Sequence, residues 1–273
     1  MRRQVNRLIK MMKYKLLNKK ENDQVIIEIM DVLLDPSLPY SGAHRRQQWE
    51  KGWGENLKSG DHTPRYFGKY KVNRIDQKFV IGNTKKFEQN MLYSLVDELA
   101  YKYMGDVKNI YEFGCGTGHN LLRVNKINKK AKMHGFDWVK SSNALVRNLG
   151  FHAEQFDFFN PNFSIGLEPE SVVYTVAALE QVGTRFEQYL KYLLRNKPKY
   201  VVHIEPIPEL LDPTNLLDYL SIKYMAKRKY LTGYLDTLRV MEKNGKIKIH
   251  EARRSGVGSK LIDGYSIIIW SPL

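Results

Sequence analysis

The stretch Asn109–Asn120, which reads NIYEFGCGTGHN, constrains the fold of this chain more than any other segment. It begins as an apolar strand that ends on Glu112, passes through alternating glycines and leads into a helical pattern. Gly114, Gly116 and Gly118 carry no Cβ atom, so the backbone can take left-handed conformations and approach a ligand closely. The helix that follows offers free amide groups and a positive dipole end. The stretch therefore predicts a strand–turn–helix unit with a ligand above the turn.

The glycine spacing differs from the dinucleotide-binding pattern G-x-G-x-x-G. Counted from Gly114, the third glycine of that pattern would fall on His119, and counted from Gly116 it would fall on Leu121. The residues instead match E-x-G-x-G-x-G, which resembles the first motif of class I S-adenosylmethionine-dependent methyltransferases. The resemblance covers about residues 85–273. It implies S-adenosyl-L-methionine as the cofactor and methyl transfer as the reaction.

Apolar patterns alternate between helical and strand periods after residue 84. An amphipathic helix is predicted over Lys85–Met104, because its apolar residues recur at spacings of three and four. The strands that follow are predicted at 108–113, 131–137, 151–156, 171–177 and 198–204, and the helices at 118–128, 141–149 and 184–195. A helical region, 212–244, precedes two antiparallel strands near 246–250 and 265–270. This order predicts an α/β fold with a doubly wound, seven-stranded, mostly parallel sheet, and the resemblance implies that it is Rossmann-like and of the class I methyltransferase type.

The first 84 residues are predicted to form an extension, a helical and irregular cap, on a methyltransferase domain over 85–273. Residues 1–34 look largely helical, and 40–84 form an irregular segment in which arginines alternate with aromatic residues. Such side chains either pack the extension onto the main domain or close over a ligand. The predicted lid residues lie just before the main domain, and they are Tyr66, Tyr70 and Arg74.

Acidic residues follow the second and third strands, at the edge where a parallel sheet binds its ligand. Asp137 lies nineteen residues after Gly118, where a carboxylate can accept hydrogen bonds from both hydroxyls of a ribose. The resemblance implies that role, and it places Asp157 near the adenine amino group, with a solvated loop acid as the alternative. The residues predicted to bind the cofactor are Glu112, Gly114, Cys115, Gly116, Thr117, Gly118, His119, Asp137, Trp138, Asp157 and Phe158.

The ends of the fourth and fifth strands carry candidates for the chemistry. Glu180 and Gln181 resemble the place where many small-molecule methyltransferases have leucine-glutamate-histidine, but glutamine replaces the histidine here. Gln181 is therefore predicted to face the substrate rather than to act as a base. His203 and Glu205 end the next strand, and either can serve as a general base for a hydroxyl nucleophile. We predict Glu180, His203 and Glu205 as catalytic residues, with a buried, hydrogen-bonded structural role as the alternative.

The chain has a formal net charge of +15, and its lysines and arginines concentrate in residues 1–20 and 221–260. Such an excess attracts nucleic acid, anionic lipid or a phosphorylated substrate, or it reflects a lysine-rich proteome. Residues 1–20 have an amphipathic helical spacing that suits peripheral membrane contact or docking on the protein itself. No apolar run is long enough to cross a bilayer. A single cysteine, Cys115, rules out an intrachain disulfide, and these features favour a cytoplasmic protein.

The sequence as a whole predicts an enzyme that methylates a small polar acceptor. The tail resembles uncharacterised methyltransferases associated with cell-surface carbohydrate synthesis, which favours O-methylation of a sugar or of a carbohydrate precursor. The alternatives are an RNA methyltransferase that holds phosphates with its basic regions, and a non-catalytic adaptor that retains the fold. No spacing of cysteine or histidine suggests a metal site. The oligomeric state is not fixed by any pattern in the chain.

Overall fold

The chain is built on two β-sheets in the computed structural model, which describes residues 12–273. In chain order the strands are β1 (Tyr14–Leu16), β2 (Val72–Ile75), β3 (Lys78–Gly82), β4 (Asn109–Phe113), β5 (Lys132–Asp137), β6 (His152–Gln155), β7 (Val172–Val176), β8 (Tyr200–Glu205), β9 (Ile247–Arg253), β10 (Val257–Ser259) and β11 (Ser266–Pro272). The helices are α1 (Lys19–Leu34), α2 (Arg46–Ser59), α3 (Phe87–Leu99), α4 (His119–Ile127), α5 (Lys140–Asn148), α6 (Glu187–Asn196), α7 (Leu216–Arg228) and α8 (Tyr234–Lys243).

The larger sheet has seven strands in the order β6-β5-β4-β7-β8-β11-β9. Neighbours from β6 to β8 are parallel, whereas β11 runs antiparallel to both β8 and β9. The direction of winding reverses between β4 and β7, which is the switch point where open α/β sheets bind ligands. The predicted doubly wound, seven-stranded, mostly parallel sheet is therefore confirmed.

Both faces of this sheet are buried, because apolar side chains alternate along its strands. Ile110 of β4 packs on the side of α3, and Tyr111 packs on the opposite side with residues of α6 and α8. In β11 the same alternation separates Ile267 and Ile269 from Ile268. Period-two alternation between two buried faces places helices on both sides of the sheet. The resulting layers fix the carboxyl ends of β4, β5 and β7 along one edge.

The smaller sheet joins the N-terminal region to the C-terminal part of the chain. Its order is β1-β3-β2-β10, with all neighbours antiparallel, and β10 lies in the connection between β9 and β11. The hairpin of β2 and β3 turns at Asp76 and Gln77, both of which have positive φ, as tight hairpins require.

Residues 40–84 thus contain α2 and this hairpin, so the expectation of an irregular segment is wrong. Gly52 and Gly54 lower the helix propensity of α2 and mask its pattern.

The expected helix over residues 1–34 is only partly present. Residues 14–16 form β1, and α1 begins after Asn18, whose side chain accepts the amide of Glu21 at 2.9 Å in a capping box. The rest of the amphipathic segment, residues 1–11, lies outside the described residues, and the predicted membrane contact stays a prediction. Within residues 12–273, no helix is both long and apolar enough to cross a bilayer.

Candidate active site

A cleft lies at the carboxyl ends of β4, β5 and β7, directly above the glycine turn. Phe156, Phe158 and Phe159 line one side, and Trp49 and Trp53 of α2 line another. The sequence-predicted residues that line it are Tyr66, Gly114, Cys115, Gly116, Thr117, His119, Asp137, Trp138, Phe158 and Gln181. The fold thus gathers most of the predicted cofactor residues at one edge of the sheet.

The glycine turn allows neighbouring groups to come closer than a side chain would permit. Gly114 has φ +70°, and a Cβ atom there would lie 2.4 Å from the Cβ of Ala178. Gly116 has φ +53°, and a Cβ there would lie 3.0 Å from a ring carbon of Trp53. Gly118 begins α4 and packs against α5 instead of lining the cleft. The turn therefore presents bare backbone to the cleft at two of its three glycines.

Asp137 ties β5 to the turn and places a carboxylate in the wall of the cleft. Its Oδ2 accepts the amide of Gly116 at 3.0 Å, and its Oδ1 accepts the amide of Val139 at 3.2 Å. Burial raises the pKa of Asp137 to about 6, so the group is mostly ionised at neutral pH. Each carboxylate oxygen has a further lone pair with which it can accept a hydrogen bond from a ligand.

Glu112, the acid before the turn, does not line the cleft as predicted for a cofactor ligand. Its carboxyl lies behind the turn, where Asn120 Nδ2 donates to Oε1 at 2.9 Å and Tyr174 donates to Oε2 at 3.0 Å. Burial raises the pKa of Glu112 to about 8. Glu112 therefore supports the start of α4 from inside. Asn120, which was not predicted, lines the cleft.

Two polar atoms at the start of α4 have no partner within residues 12–273. They are His119 Nε2 and Asn120 Oδ1, and both side chains line the cleft. The His119 ring lies 5.8 Å from the rings of both Phe67 and Tyr93, and burial lowers its pKa to about 3, so it is neutral. Buried polar atoms in native proteins nearly always have partners. The pair therefore fits a polar ligand in the cleft.

Helix α2 forms the roof of the cleft, a role that was not predicted for its tryptophans. Trp49 and Trp53 stack with ring centroids 5.6 Å apart, and the Tyr66 ring meets Trp53 edge-on at 6.5 Å. Glu50 fastens the helix, because its carboxylate accepts the amides of Lys140 and Ser141 at the start of α5. The spacing of four between the two tryptophans was the available signal.

The loop after α2 is tied to the glycine turn. Thr117 Oγ1 donates to the carbonyl of His62 at 2.6 Å, and His62 Nδ1 lies 2.8 Å from the carbonyl of Thr117. This pair of contacts holds Thr117 in place beneath the roof. Residues 46–66 and the turn therefore form one connected structure around the cleft.

Tyr70 and Arg74, two of the three predicted lid residues, lie elsewhere, so their assignment to a lid is wrong. Arg74 is buried in the smaller sheet, where its guanidinium donates to the carbonyls of Leu217, Lys260 and Leu261. Tyr70 packs in the apolar cluster between α1 and α7. Both hold the cap onto the C-terminal region and do not reach the cleft.

Asp157 follows β6 beside the cleft rather than in its wall. Its Oδ1 accepts the amide of Phe159 at 2.8 Å, which orients the aromatic residues on either side. Phe158 and Trp138 line the cleft as predicted, and the Trp138 ring lies 5.9 Å from that of Phe159. A contact between Asp157 and an adenine stays a prediction.

His203 lies in the core and is not available as a base, contrary to the prediction. Its ring is fully buried, with Nδ1 2.9 Å from Thr175 Oγ1 and Nε2 2.8 Å from the hydroxyl of Tyr234. Trp270 Nε1 also donates to Nε2, at 3.4 Å, so Nε2 is an acceptor and the proton of the neutral ring is on Nδ1. Burial lowers the pKa of His203 to about 3. The histidine connects β7, β8, β11 and α8.

Glu205 is also fully buried and holds a turn instead of facing the cleft. Its carboxylate accepts the amides of Ala178, Leu179 and Glu180 at 3.0 to 3.1 Å. Just before this turn, Ala177 has φ +48°, a strained conformation for a residue with a side chain. Glu205 therefore positions the segment that carries Glu180 and Gln181, which corrects its predicted role as a base.

Glu180 is the predicted catalytic residue that is hydrogen-bonded to a side chain of the cleft wall. Gln181 lines the cleft and donates from Nε2 to Glu180 Oε1 at 2.8 Å, while its own Oε1 has no partner in the described residues. Burial, and then the neighbouring Glu205 carboxylate, raise the pKa of Glu180 to about 8. Among residues 12–273, no group of three or more His, Cys, Asp or Glu side chains is arranged to hold a metal ion.

Comparison with known proteins gives no match to any protein-family model or curated protein. Solved structures do match. The N-methyltransferase NodS from Bradyrhizobium japonicum, in complex with S-adenosyl-l-homocysteine, is 8% identical over 83% of this chain and 97% of its own, with a TM-score of 0.53. The [4+2]-cyclase SpnF is 12% identical over 86% of this chain and 96% of its own, with a TM-score of 0.55.

Human N-acetylserotonin methyltransferase in complex with SAM is 13% identical over 68% of this chain, with a TM-score of 0.46. This chain spans 55% of the length of that protein. Identities this low bear on architecture and not on activity, since one fold serves several chemistries. The chain therefore has the Rossmann-like methyltransferase fold that NodS and SpnF share.

Proposed function

We propose that the protein binds S-adenosylmethionine and transfers its methyl group to a small polar acceptor. The observation that carries the proposal is the meeting of the glycine turn and the Asp137 carboxylate in one cleft, at the switch point of the sheet. Bare backbone at Gly114 and Gly116 suits the close approach of a ligand, and Asp137 can accept hydrogen bonds from ribose hydroxyls. NodS, which has the same fold, was solved with S-adenosyl-l-homocysteine, and this supports the choice of cofactor.

The residues around the cleft suit the parts of this cofactor. Phe156, Phe158 and Phe159 offer an apolar wall for an aromatic base, and His119 and Asn120 keep polar atoms for the amino-acid end. S-adenosylmethionine carries its methyl group on a sulfonium, whose sulfur takes the bonding electron pair as the methyl leaves. The task of the protein is then to hold an acceptor in line with that methyl and to receive the acceptor's proton.

Glu180 is our candidate for the group that receives the proton. It accepts a hydrogen bond from Gln181, which lines the cleft, and Glu205 fixes its backbone. Because the pKa of Glu180 is raised to about 8, its carboxylate form is a stronger base than an exposed glutamate. A hydroxyl acceptor needs such a base, and we therefore extend the proposal to O-methylation of a sugar or of a carbohydrate precursor.

The basic region 221–260 favours a small acceptor over RNA. Several of its cations are engaged inside the protein: Arg253 pairs with Glu98, Arg254 pairs with Asp218 and Asp263, and Lys260 pairs with Glu28. A phosphate backbone requires many free cations along one surface. The pairing supports the small-molecule proposal by removing part of the surface that the RNA alternative requires.

Calorimetric titration with S-adenosylmethionine, and separately with NAD⁺, tests the cofactor. We expect micromolar binding of S-adenosylmethionine alone, and at least tenfold weaker binding in Asp137→Asn, since a lost hydrogen bond to a charged group costs about 1.5–3 kcal/mol. Asp157→Asn is the matched variant, because its carboxyl lies beside the cleft. Equal losses in both variants would place Asp157 on the adenine. No binding to the folded wild type would refute the proposal and favour the adaptor.

Methyl transfer is then measured with labelled cofactor and two sets of acceptors, nucleotide sugars and RNA. Transfer to a sugar hydroxyl supports the proposal as stated. Transfer to RNA that weakens steeply with salt would replace the small acceptor by the RNA alternative. Tight cofactor binding without transfer to any acceptor would indicate an activity other than methylation, since SpnF, a protein of similar fold, is a [4+2]-cyclase.

A further inference from the structure

Two arginines next to the cleft form no ion pair within residues 12–273, although the Glu180 carboxyl lies near both of them. Arg45 precedes α2 and Arg228 ends α7, and neither forms an ion pair with the described residues. Arg45 Nη1 and Arg228 Nε are buried without any hydrogen-bond partner. Burying part of a guanidinium without compensation costs free energy. Because burial raises the pKa of Glu180 to about 8, that carboxyl is mostly protonated at neutral pH, and both cations remain for a ligand to neutralise.

Other arginines at comparable depth in this protein are compensated. Arg254 is held between Asp218 and Asp263, Arg253 pairs with Glu98, and Arg74 donates to three carbonyls. The single side-chain partner of Arg45 is Gln48, and that of Arg228 is the hydroxyl of Tyr224, among the described residues. Arg45 and Arg228 therefore differ from these arginines in having neither an ion-pair partner nor a set of backbone carbonyls.

The segment that carries Arg45 is tied to the end of α7. Ser41, four residues before Arg45, donates its amide and its hydroxyl to the carbonyl of Arg228 at 2.7 and 3.0 Å. The pKa of Arg45 is lowered by burial and then by the nearby Arg228 cation, in keeping with this contact. The Arg228 guanidinium lies 5.7 Å from the Tyr224 ring and 5.1 Å from the Tyr230 ring. Two like charges held together in a partly buried place repel each other unless an anion lies between them.

Contacts on two sides connect the arginines to residues of the cofactor cleft. The Arg45 guanidinium lies 5.4 Å from the ring of Trp49, which lines the cleft. Glu180 interacts with both Arg228 and Tyr230, and it accepts a hydrogen bond from Gln181, which also lines the cleft. We call the group formed by Arg45, Tyr224, Arg228 and Tyr230 the arginine pocket. A ligand there would lie next to the proposed base.

We propose that the acceptor carries an oxyanion, a phosphate or a carboxylate, which Arg45 and Arg228 bind in the arginine pocket while its reacting group faces Glu180. The proposal rests on the proposed function, and it adds the chemical class of the acceptor. Guanidinium groups match the geometry of phosphate and carboxylate with paired hydrogen bonds. The rings of Tyr224 and Tyr230 limit water around these contacts, which strengthens them.

The probes are inorganic pyrophosphate and malonate, titrated into the full chain with and without saturating S-adenosylhomocysteine. We expect one of the two anions to bind the wild type, and to bind at least tenfold more weakly to Arg45→Gln and Arg228→Gln, as the loss of a charge-assisted contact predicts. Arg239→Gln is the matched control, because that arginine is exposed on α8 and pairs with Asp236. Arg228→Lys keeps the positive charge but loses the paired N–H donors of the guanidinium, and it should weaken anion binding less than Arg228→Gln.

The outcomes separate this proposal from the proposed function. Pyrophosphate binding indicates a phosphorylated acceptor, and malonate binding a carboxylated one. Binding of neither anion, or equal binding to Arg45→Gln, Arg228→Gln and Arg239→Gln, overturns the arginine pocket. Cofactor affinity should be unchanged in the arginine variants, because neither arginine lines the cofactor cleft. If the wild type fails to bind S-adenosylmethionine, the proposed function fails, and the titration without cofactor still decides the arginine pocket.

Discussion

Replacing Gly114 by alanine should damage the protein more than replacing Gly150, although both glycines have left-handed backbone. Gly114 has φ +70° and Gly150 has φ +79°, so each variant places an alanine in a conformation that costs about 1–2 kcal/mol. Around Gly150 no atom lies within 4 Å of the new Cβ. Around Gly114 the new Cβ would be 2.4 Å from the Cβ of Ala178. Comparing the two variants therefore separates the cost of the backbone conformation from the cost of the close contact with Ala178.

The contact at Gly114 cannot relax freely. Carbon atoms pack at about 3.5–4.0 Å, so Ala178 would have to retreat by more than about 1 Å. The amide of Ala178 is held by Glu205 at 3.0 Å, and Phe158 lies 3.4 Å from the new Cβ on another side. Overpacking of this kind costs about 1–3 kcal/mol. We expect Gly114→Ala to lose about 2–5 kcal/mol of unfolding free energy, and Gly150→Ala about 1–2 kcal/mol.

Denaturant unfolding and thermal melting measure the difference directly. A gap of about 1–3 kcal/mol corresponds to about 2–12 °C in Tm for a domain of this size. Calorimetry with S-adenosylmethionine should show weakened binding in Gly114→Ala alone, because only that glycine lines the cleft. Equal destabilisation of the two variants would refute the reasoning, since it would show that the backbone conformation accounts for the whole effect.

Three further predictions concern buried groups and the roof. The pKa of Glu112 is raised from 4.5 to about 8, so between these values the folded state holds a proton that the unfolded chain releases; measured against Glu112→Gln, the free energy of unfolding of the wild type should fall as the pH rises from about 4.5 to about 8 and stay level above that. His203→Ala leaves the donors of Tyr234 and Trp270 unpaired and should cost about 2–4 kcal/mol in denaturant melts, while the pH profile of methyl transfer stays the same. Trp53→Ala should weaken cofactor binding at least tenfold in calorimetry with little change in Tm; unchanged affinity would remove α2 from the binding site.

The sequence predicts the larger sheet well because its signals are local. Each strand and helix from 85 onwards carries its own apolar period, and most predicted and observed bounds differ by a few residues. The exception is the predicted helical region 212–244, which the structure divides into α7 and α8. The turn at Gly114 is predictable for the same reason, since glycines at alternate positions permit a conformation that other residues resist. Asp137 then follows from its place at the end of the second strand.

The smaller sheet depends on contacts that no local pattern reveals. β1 and β10 have three residues each, too few to show a period, and β10 exists because Val257 pairs with Ile75 of the N-terminal hairpin. Arg74 belongs to the same hairpin, and its partners come from α7 and from the β10 segment. From the sequence alone, Arg74 could equally have faced the ligand. Only the long-range pairing of the hairpin with β10 determines that it is buried in the smaller sheet.

The predictions for His203 and Glu205 failed for a different reason. His203 and Glu205 end a strand at the ligand edge, and their side chains were expected to face the ligand. In the structure, both are satisfied by neighbours that are distant in sequence, Tyr234 for the histidine and the amides after β7 for the glutamate. Polar residues at a strand end serve either the ligand or the packing of the next element, and their own sequence does not distinguish these roles.

Helix α2 connects the two proposed sites in a way that bears on the chemistry. Trp49 covers the cofactor cleft, and Arg45, four residues earlier, contributes to the arginine pocket. The helix is fixed to the main domain through Glu50 at the start of α5 and, after its end, through His62 at Thr117. Methyl transfer requires donor and acceptor to be held in line at contact distance. We therefore propose that α2, with Trp49 in the helix and Arg45 directly before it, sets that distance, which would give the N-terminal region a part in the proposed reaction beyond covering the cleft.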